Sequence, residues 1–141
     1  MPIPDAHPRA GEIVARARGL IGVSFRPQGR DASGLDCLGL VLLAAEAGGV
    51  RPDVAAQPLR GRTLQGAGDL LRAAGCQELD IGRSAAGDLL IMSPGTRQVH
   101  LGIRTDLGVV EACARLRRVV ERAVIDAGTW RSAWRLPEGE A

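Results

Sequence analysis

The chain has 141 residues, 45% of them hydrophobic and 24% charged, with a formal net charge of +2. That length and balance fit a single folded domain over residues 1–141 and exclude disorder and collagen-like repeats. So small a net charge, with one Phe, two Trp and no Tyr to stack on bases, argues against a nucleic-acid partner. Cys37, Cys76 and Cys113 are widely spaced and form no CxxC pair, and only two histidines accompany them. Neither a zinc site nor a disulfide framework is expected, and nothing calls for another metal or a cofactor. The N-terminus shows no basic start followed by an apolar core, so the chain is expected to be made in the cytoplasm without a signal peptide. The longest apolar run, near residues 38–47, is too short to cross a bilayer, so no membrane insertion is expected.

In chain order, residues 1–8 read as a flexible N-terminus containing His7 and several prolines. Residues 9–21 place Ala10, Ile13, Val14, Ala17, Leu20 and Ile21 on one face at helical spacing. "RPQGRDASGLD", residues 26–36, is loop by its Pro, Gly, Asp and Ser content. Asp36 then stands where an N-cap belongs, and "CLGLVLLAAEAGG" reads as a helix apolar nearly all round, hence central and buried. Residues 50–66 read as a surface crossing, and "GDLLRAAGC" as a short helix ending at Gly75. After Gly87 the pattern turns to short β-branched runs at 88–92, 98–104, 108–114, 117–124 and 130–136. Helices first and consecutive strands later predict an α+β domain, its N-terminal helices packed on a largely antiparallel sheet of five to six strands. Residues 137–141 read as a flexible tail.

Chemistry concentrates at Cys37. As the first residue of a helix it would lie at the positive end of the helix dipole, which favours thiolate over thiol, and the thiolate is the attacking form. The glycine-rich approach leaves room for a substrate backbone, and amides at the helix start could hold an oxyanion. The blander reading is a cysteine simply buried at a helix start. A thiol nucleophile needs a base, and His100 in "QVHLGIR" is the one candidate, since His7 stands beside Pro8 near the chain end. Alone, His100 reads equally as a surface residue of a half-exposed strand.

Together these segments resemble a known family. "GLDCLGLV" is similar to the nucleophile segment of the NlpC family of cell-wall cysteine peptidases, a permuted branch of the papain-like clan. "IGVSFRPQGRDASG" takes the place of its lead-in, "AAGDLLIM" resembles its Gly-Asp-Leu strand, and "HLGIRTDLGVVEA" its histidine strand and following hairpin. The likeness runs from about residue 10 to about 136, and it most resembles the branch found with phage-like tails and gene transfer agents. It implies an NlpC-like fold with Cys37 as nucleophile and His100 as base. It also implies a thiol-dependent endopeptidase or amidase cutting peptidoglycan stem peptides, at the D-Glu–diaminopimelate bond, for wall penetration by a tail. Tail proteins would then be partners, and the protein would be virion-associated and delivered to the wall. The rival reading is a catalytically inactive tail or assembly protein that keeps the fold; an acyltransferase on the same scaffold is a third.

Three positions depart from the family pattern. Leu38 follows the nucleophile where the family carries Ser, a position that often contributes to the substrate site. Phe25 replaces a lead-in tyrosine, whose hydrogen bond Arg26 or Arg30 would have to replace. Glu111 stands where relatives carry the residue that orients the histidine. A carboxylate can do this by accepting the Nδ1–H and stabilising the imidazolium. If Asp106-Leu107 is a two-residue turn, Gly102 pairs with Glu111 and His100 with Cys113, placing Glu111 diagonal to His100 on one face. A three-residue turn would place it on the other. By the same likeness Asp36, besides capping, would bind a stem-peptide amine, with Phe25, Arg30 and Leu38 beside it. Cys113 is a less favoured thiol and Cys76 an apolar filler.

Overall fold

The computed structural model describes residues 3–49, 62–95, 97–123 and 130–138. Helix α1, Ala10–Gly19, buries Ile13, Val14 and Ala17, the face its spacing predicts. Two short strands, β1 at Arg30–Asp31 and β2 at Gly34–Leu35, pair antiparallel within the segment expected to be loop. They lead directly into α2, Cys37–Ala47, whose buried residues Leu38, Gly39, Leu40, Val41, Ala44 and Ala45 surround much of the helix. Residues 50–61, most of the expected surface crossing, lie outside the described residues. Helix α3, Leu64–Ala73, starts earlier than expected because Thr63 caps it, its hydroxyl accepting the Gly66 N–H at 3.0 Å.

The strands are β3 Gln77–Leu79, β4 Leu89–Gly95, β5 Gln98–Arg104, β6 Val109–Cys113, β7 Arg118–Arg122 and β8 Trp130–Arg135, with a 3-10 turn at Ile81–Arg83. They form one sheet in the order β3-β8-β4-β5-β6-β7, every neighbouring pair antiparallel. Strand β3 escaped the sequence reading because it is a three-residue edge strand of partly exposed Gln, Glu and Leu with no apolar alternation. Alternation along the inner strands splits the core between two faces. Leu89, Ile91, Leu101, Ile103, Val110 and Ala112 join Ile13, Ala17, Leu40 and Val41 under the helices. Leu90, Val109, Trp130 and Ala133 form a smaller cluster opposite.

The β5–β6 connection fixes the geometry that matters most. Thr105 N–H donates to Gly108 O at 2.8 Å, while the Thr105 hydroxyl accepts the N–H groups of Leu107 and Gly108 at 3.1 and 2.9 Å. Asp106-Leu107 is therefore a two-residue turn, and Gly102 pairs with Glu111, Ile103 with Val110 and Arg104 with Val109.

The described part of the N-terminal segment packs against the fold. His7, read as part of a flexible segment, is 3% exposed. Its Nε2–H donates to Pro137 O at 3.0 Å and its Nδ1 accepts the Arg9 N–H at 2.9 Å. The cause lies in a buried charge. Asp88, at the start of the run expected at 88–92, is fully buried and holds Arg135 Nε at 2.5 Å, and the same guanidinium donates to the carbonyls of Pro4 and Asp5. A carboxylate taken out of water must keep its counter-ion, and that counter-ion brings the N-terminal backbone with it.

Candidate active site

Asp36 is extended (φ −98°, ψ −175°) and its Oδ1 accepts the Gly39 N–H at 2.8 Å, the expected cap. The same oxygen takes Arg30 Nη1 at 2.7 Å, and Oδ2 takes the Gln28 N–H at 3.1 Å. One carboxylate thus fastens the lead-in loop to the first turn of α2 and leaves Cys37 as the first helical residue, half-buried. The glycines serve this fastening. A Cβ on Gly39 would lie 2.1 Å from Gly29 O, and one on Gly29 would lie 2.2 Å from Gly34 O. The room the sequence offered to a substrate backbone is, at these positions, filled by the chain's own backbone. The helix start that Cys37 needs is held in place by that packing.

His100 sits on β5 between Val99 and Leu101, which face the helix-side core. It pairs with Met92 across the β4–β5 ladder, and its ring centroid lies 5.9 Å from that of Trp130. Cys37 and Glu111 are the two side chains that act on the imidazole electrostatically, and Glu111 also hydrogen-bonds it. The nitrogen facing Glu111 Oε1, at 3.3 Å, is Nε2. The expectation from sequence is Nδ1 against the carboxylate; Nε2 takes that place instead. The hairpin explains this. Glu111 stands opposite Gly102, two residues along β5 from His100, and meets the far end of the ring instead of the nitrogen nearest the backbone.

Burial of the ring disfavours its charged form, but its interactions with Cys37 and Glu111 outweigh burial and push His100 up to about 9. Glu111 is 3% exposed. Its burial favours the neutral acid, yet the hydrogen bond and charge of His100, then the charge of Arg122, hold its carboxyl below the usual carboxylate range. Arg122 Nε lies 3.2 Å from Glu111 Oε1, a partner the sequence reading missed. The available signal was register: a tight turn after β6 places Arg122 opposite Val109, diagonal to Glu111 on the same face.

The structure thus brings Cys37, His100 and Glu111 together and adds Arg122. Cys113 is buried, its sulfur accepting from Leu116 N–H and Arg122 Nη2 at 3.5 and 3.6 Å, and it is not among the groups that act on His100. The β5–β6 ladder ends at Gly102 and Glu111, so the His100–Cys113 pairing expected from the turn is not among its pairs. Cys76 is buried, and desolvation pushes its thiol up to about 12.

This architecture has solved counterparts. The chain is similar to the peptidoglycan hydrolase RipB of Mycobacterium tuberculosis, with a TM-score of 0.67 and 24% identity over 98% of this chain and 69% of that one. It is similar to the P60 domain of an antigen of Mycobacterium avium subspecies paratuberculosis, with TM-score 0.64 and 20% identity over 91% and 94% of the two chains. The fold is that of an NlpC/p60 domain. A third NlpC/p60 neighbour, RipD of Mycobacterium tuberculosis, is described as non-catalytic and adapted to peptidoglycan binding. Its TM-score is 0.60, at 20% identity over 91% of this chain and 97% of RipD. No protein-family model matches the sequence, and no curated protein matches it.

Within the NlpC/p60 fold, the positions expected to touch substrate fall in different places. Leu38 is 3% exposed and packs in the helix-side core, so its side chain does not line an open groove. A side chain one residue after an N-terminal helical position points a full 100° away from its neighbour, and here that direction is inward. Phe25 is half-buried against the same core and bridges Leu35. Arg30 is committed to Asp36 and to Gly29 O at 3.0 Å, and its Nε is buried without a hydrogen-bond partner. Both Asp36 oxygens are already occupied.

Proposed function

We propose that this chain is a thiol-dependent peptidoglycan hydrolase that cuts amide bonds of stem peptides. One observation carries the reading: His100 Nε2 lies 3.3 Å from the buried Glu111 carboxylate, and Cys37, the first residue of a helix, is the other side chain that acts on the ring. In this mechanism His100 takes the Cys37 proton and the sulfur attacks the amide carbonyl carbon, giving a tetrahedral oxyanion. Backbone N–H groups at the start of α2 are the donors placed to receive it. The imidazolium then gives its proton to the departing amine as the C–N bond breaks, leaving a thioester on Cys37. Water, deprotonated by the now neutral His100, attacks the thioester carbonyl and releases the acid, and the thiol proton is restored. Glu111 keeps the ring oriented and compensates its positive charge throughout.

The substrate follows from the NlpC/p60 neighbours, among them a peptidoglycan hydrolase and a peptidoglycan-binding protein. The D-Glu–diaminopimelate bond is our proposed scissile bond, and a phage-like tail our proposed carrier, both resting on the sequence likeness around "GRDASGLDCLGLV". Purified wall incubated with the protein should release muropeptides carrying new amine and carboxyl ends, and Cys37→Ala should release none. Equal release by both would reject the mechanism. Wall binding without release by either would favour the non-catalytic reading that RipD illustrates.

A further inference from the structure

We propose that Arg122 is a positioning residue of this site, holding the buried Glu111 carboxylate ionised against Nε2 of His100. The site then has four members, Cys37, His100, Glu111 and Arg122; the catalytic consequence rests on the hydrolase reading, while the electrostatic one does not.

The carboxylate is unusually dependent on its partners. Oε1 receives both His100 Nε2 at 3.3 Å and Arg122 Nε at 3.2 Å, whereas Oε2 is buried without a hydrogen-bond partner. A buried carboxylate takes up a proton unless cations compensate it. His100 is an intermittent cation, because the proposed reaction requires it to give its proton away in each turnover. Arg122 is a permanent one, since a guanidinium keeps its proton at any working pH. Arg104 and Arg118 also stand diagonal to Glu111 on this face, but Arg104 donates to Ser84 and neither is among the groups that lower the carboxyl. Cys113 lies two residues along the same strand, and beyond the His100 ring stand Cys37 from α2 and the uncharged Met92 and Trp130. Arg122 is fixed from both ends: register sets it diagonal to Glu111, and its Nη2 donates to Cys113 Sγ at 3.6 Å. Its side chain is 42% exposed, so replacing it removes a charge and little packing.

The test is a carboxyl-carbon NMR titration of glutamate-labelled protein, with Glu111→Gln identifying the signal. In the wild type, Glu111 titrates below the usual carboxylate range. In Arg122→Gln its midpoint rises by about one pH unit, a roughly tenfold gain in proton affinity; Arg122→Lys keeps it near wild type. A merely structural arginine would leave the midpoint unmoved in Arg122→Gln, and that result overturns the proposal, as would an equal rise in Arg122→Lys. The acid limb of wall hydrolysis should move upward with the Glu111 midpoint. A wild-type protein that hydrolyses no wall, while the Glu111 shift is present, would reject the hydrolase reading and leave this pairing standing.

Discussion

Replacing Glu111 with Gln preserves the side-chain shape and removes the charge that His100 leans on. His100 is raised from 6.5 to about 9 against the effect of its own burial, through Cys37 and Glu111. A hydrogen bond to a charged acceptor exceeds one to a neutral acceptor by about 1.5 kcal/mol, which is about one pH unit of proton affinity. In Glu111→Gln, His100 should therefore titrate near about 8, and wall hydrolysis at neutral pH should slow by roughly tenfold, the kinetic equivalent of that energy. Ring-carbon NMR reads the titration directly, because the chain has only two histidines and His7→Asn identifies the other. The fold should survive, since the abandoned Arg122 is 42% exposed and can turn to water. An unmoved or raised His100 would refute the assignment of Glu111 as orienter.

Stability should carry the same signature. His100 is raised on folding, so its contribution is complete below about 6.5 and is lost as pH rises through about 9, at most about 3 kcal/mol from that displacement. Denaturant melts at pH near 7 and near 10 check it, and His100→Asn should flatten the alkaline loss. Glu111 is lowered, so its share is present above the ordinary glutamate value and disappears as pH falls, which Glu111→Gln should remove. Asp36→Ala deletes the cap on Gly39 and the partner of Arg30, and should cost roughly 1–2 kcal/mol by thermal melting; a change within about 0.3 kcal/mol would contradict the fastening role. Leu38→Ser, which restores the commoner residue of the resembling family, should destabilise by about 2–4 kcal/mol because the side chain is in the core. A neutral result would return Leu38 to the substrate surface.

Much of this was legible in the chain itself. The long apolar run after Asp36 required a buried helix, and the cap residue set its first position to within one residue. The β5 and β8 runs were read nearly end to end because they are short runs bounded by turn residues. Glu111 was legible only as far as turn length allowed. The Thr105 hydroxyl, by taking two turn amides, selects the two-residue turn, and a single threonine is too weak a signal to decide that beforehand. Which imidazole nitrogen meets Glu111 follows from three-dimensional offset along β5, which no residue pattern encodes. Arg122 and the Asp88–Arg135 pair were missed for a shared reason: each is a charge satisfied by a residue distant in the chain, and periodicity reports burial without naming partners. The lead-in glycines were read as open space, whereas they mark where backbone meets backbone.

The central claim is that the Cys37 sulfur and the His100 ring share a proton. It is tested most directly by the pH dependence of alkylation at each cysteine, followed by peptide mass spectrometry in wild type and His100→Asn. The wild type should show Cys37 modified faster than the buried Cys76 and Cys113, and the variant should lose that advantage. Identical pH profiles at Cys37 in the two proteins would contradict it.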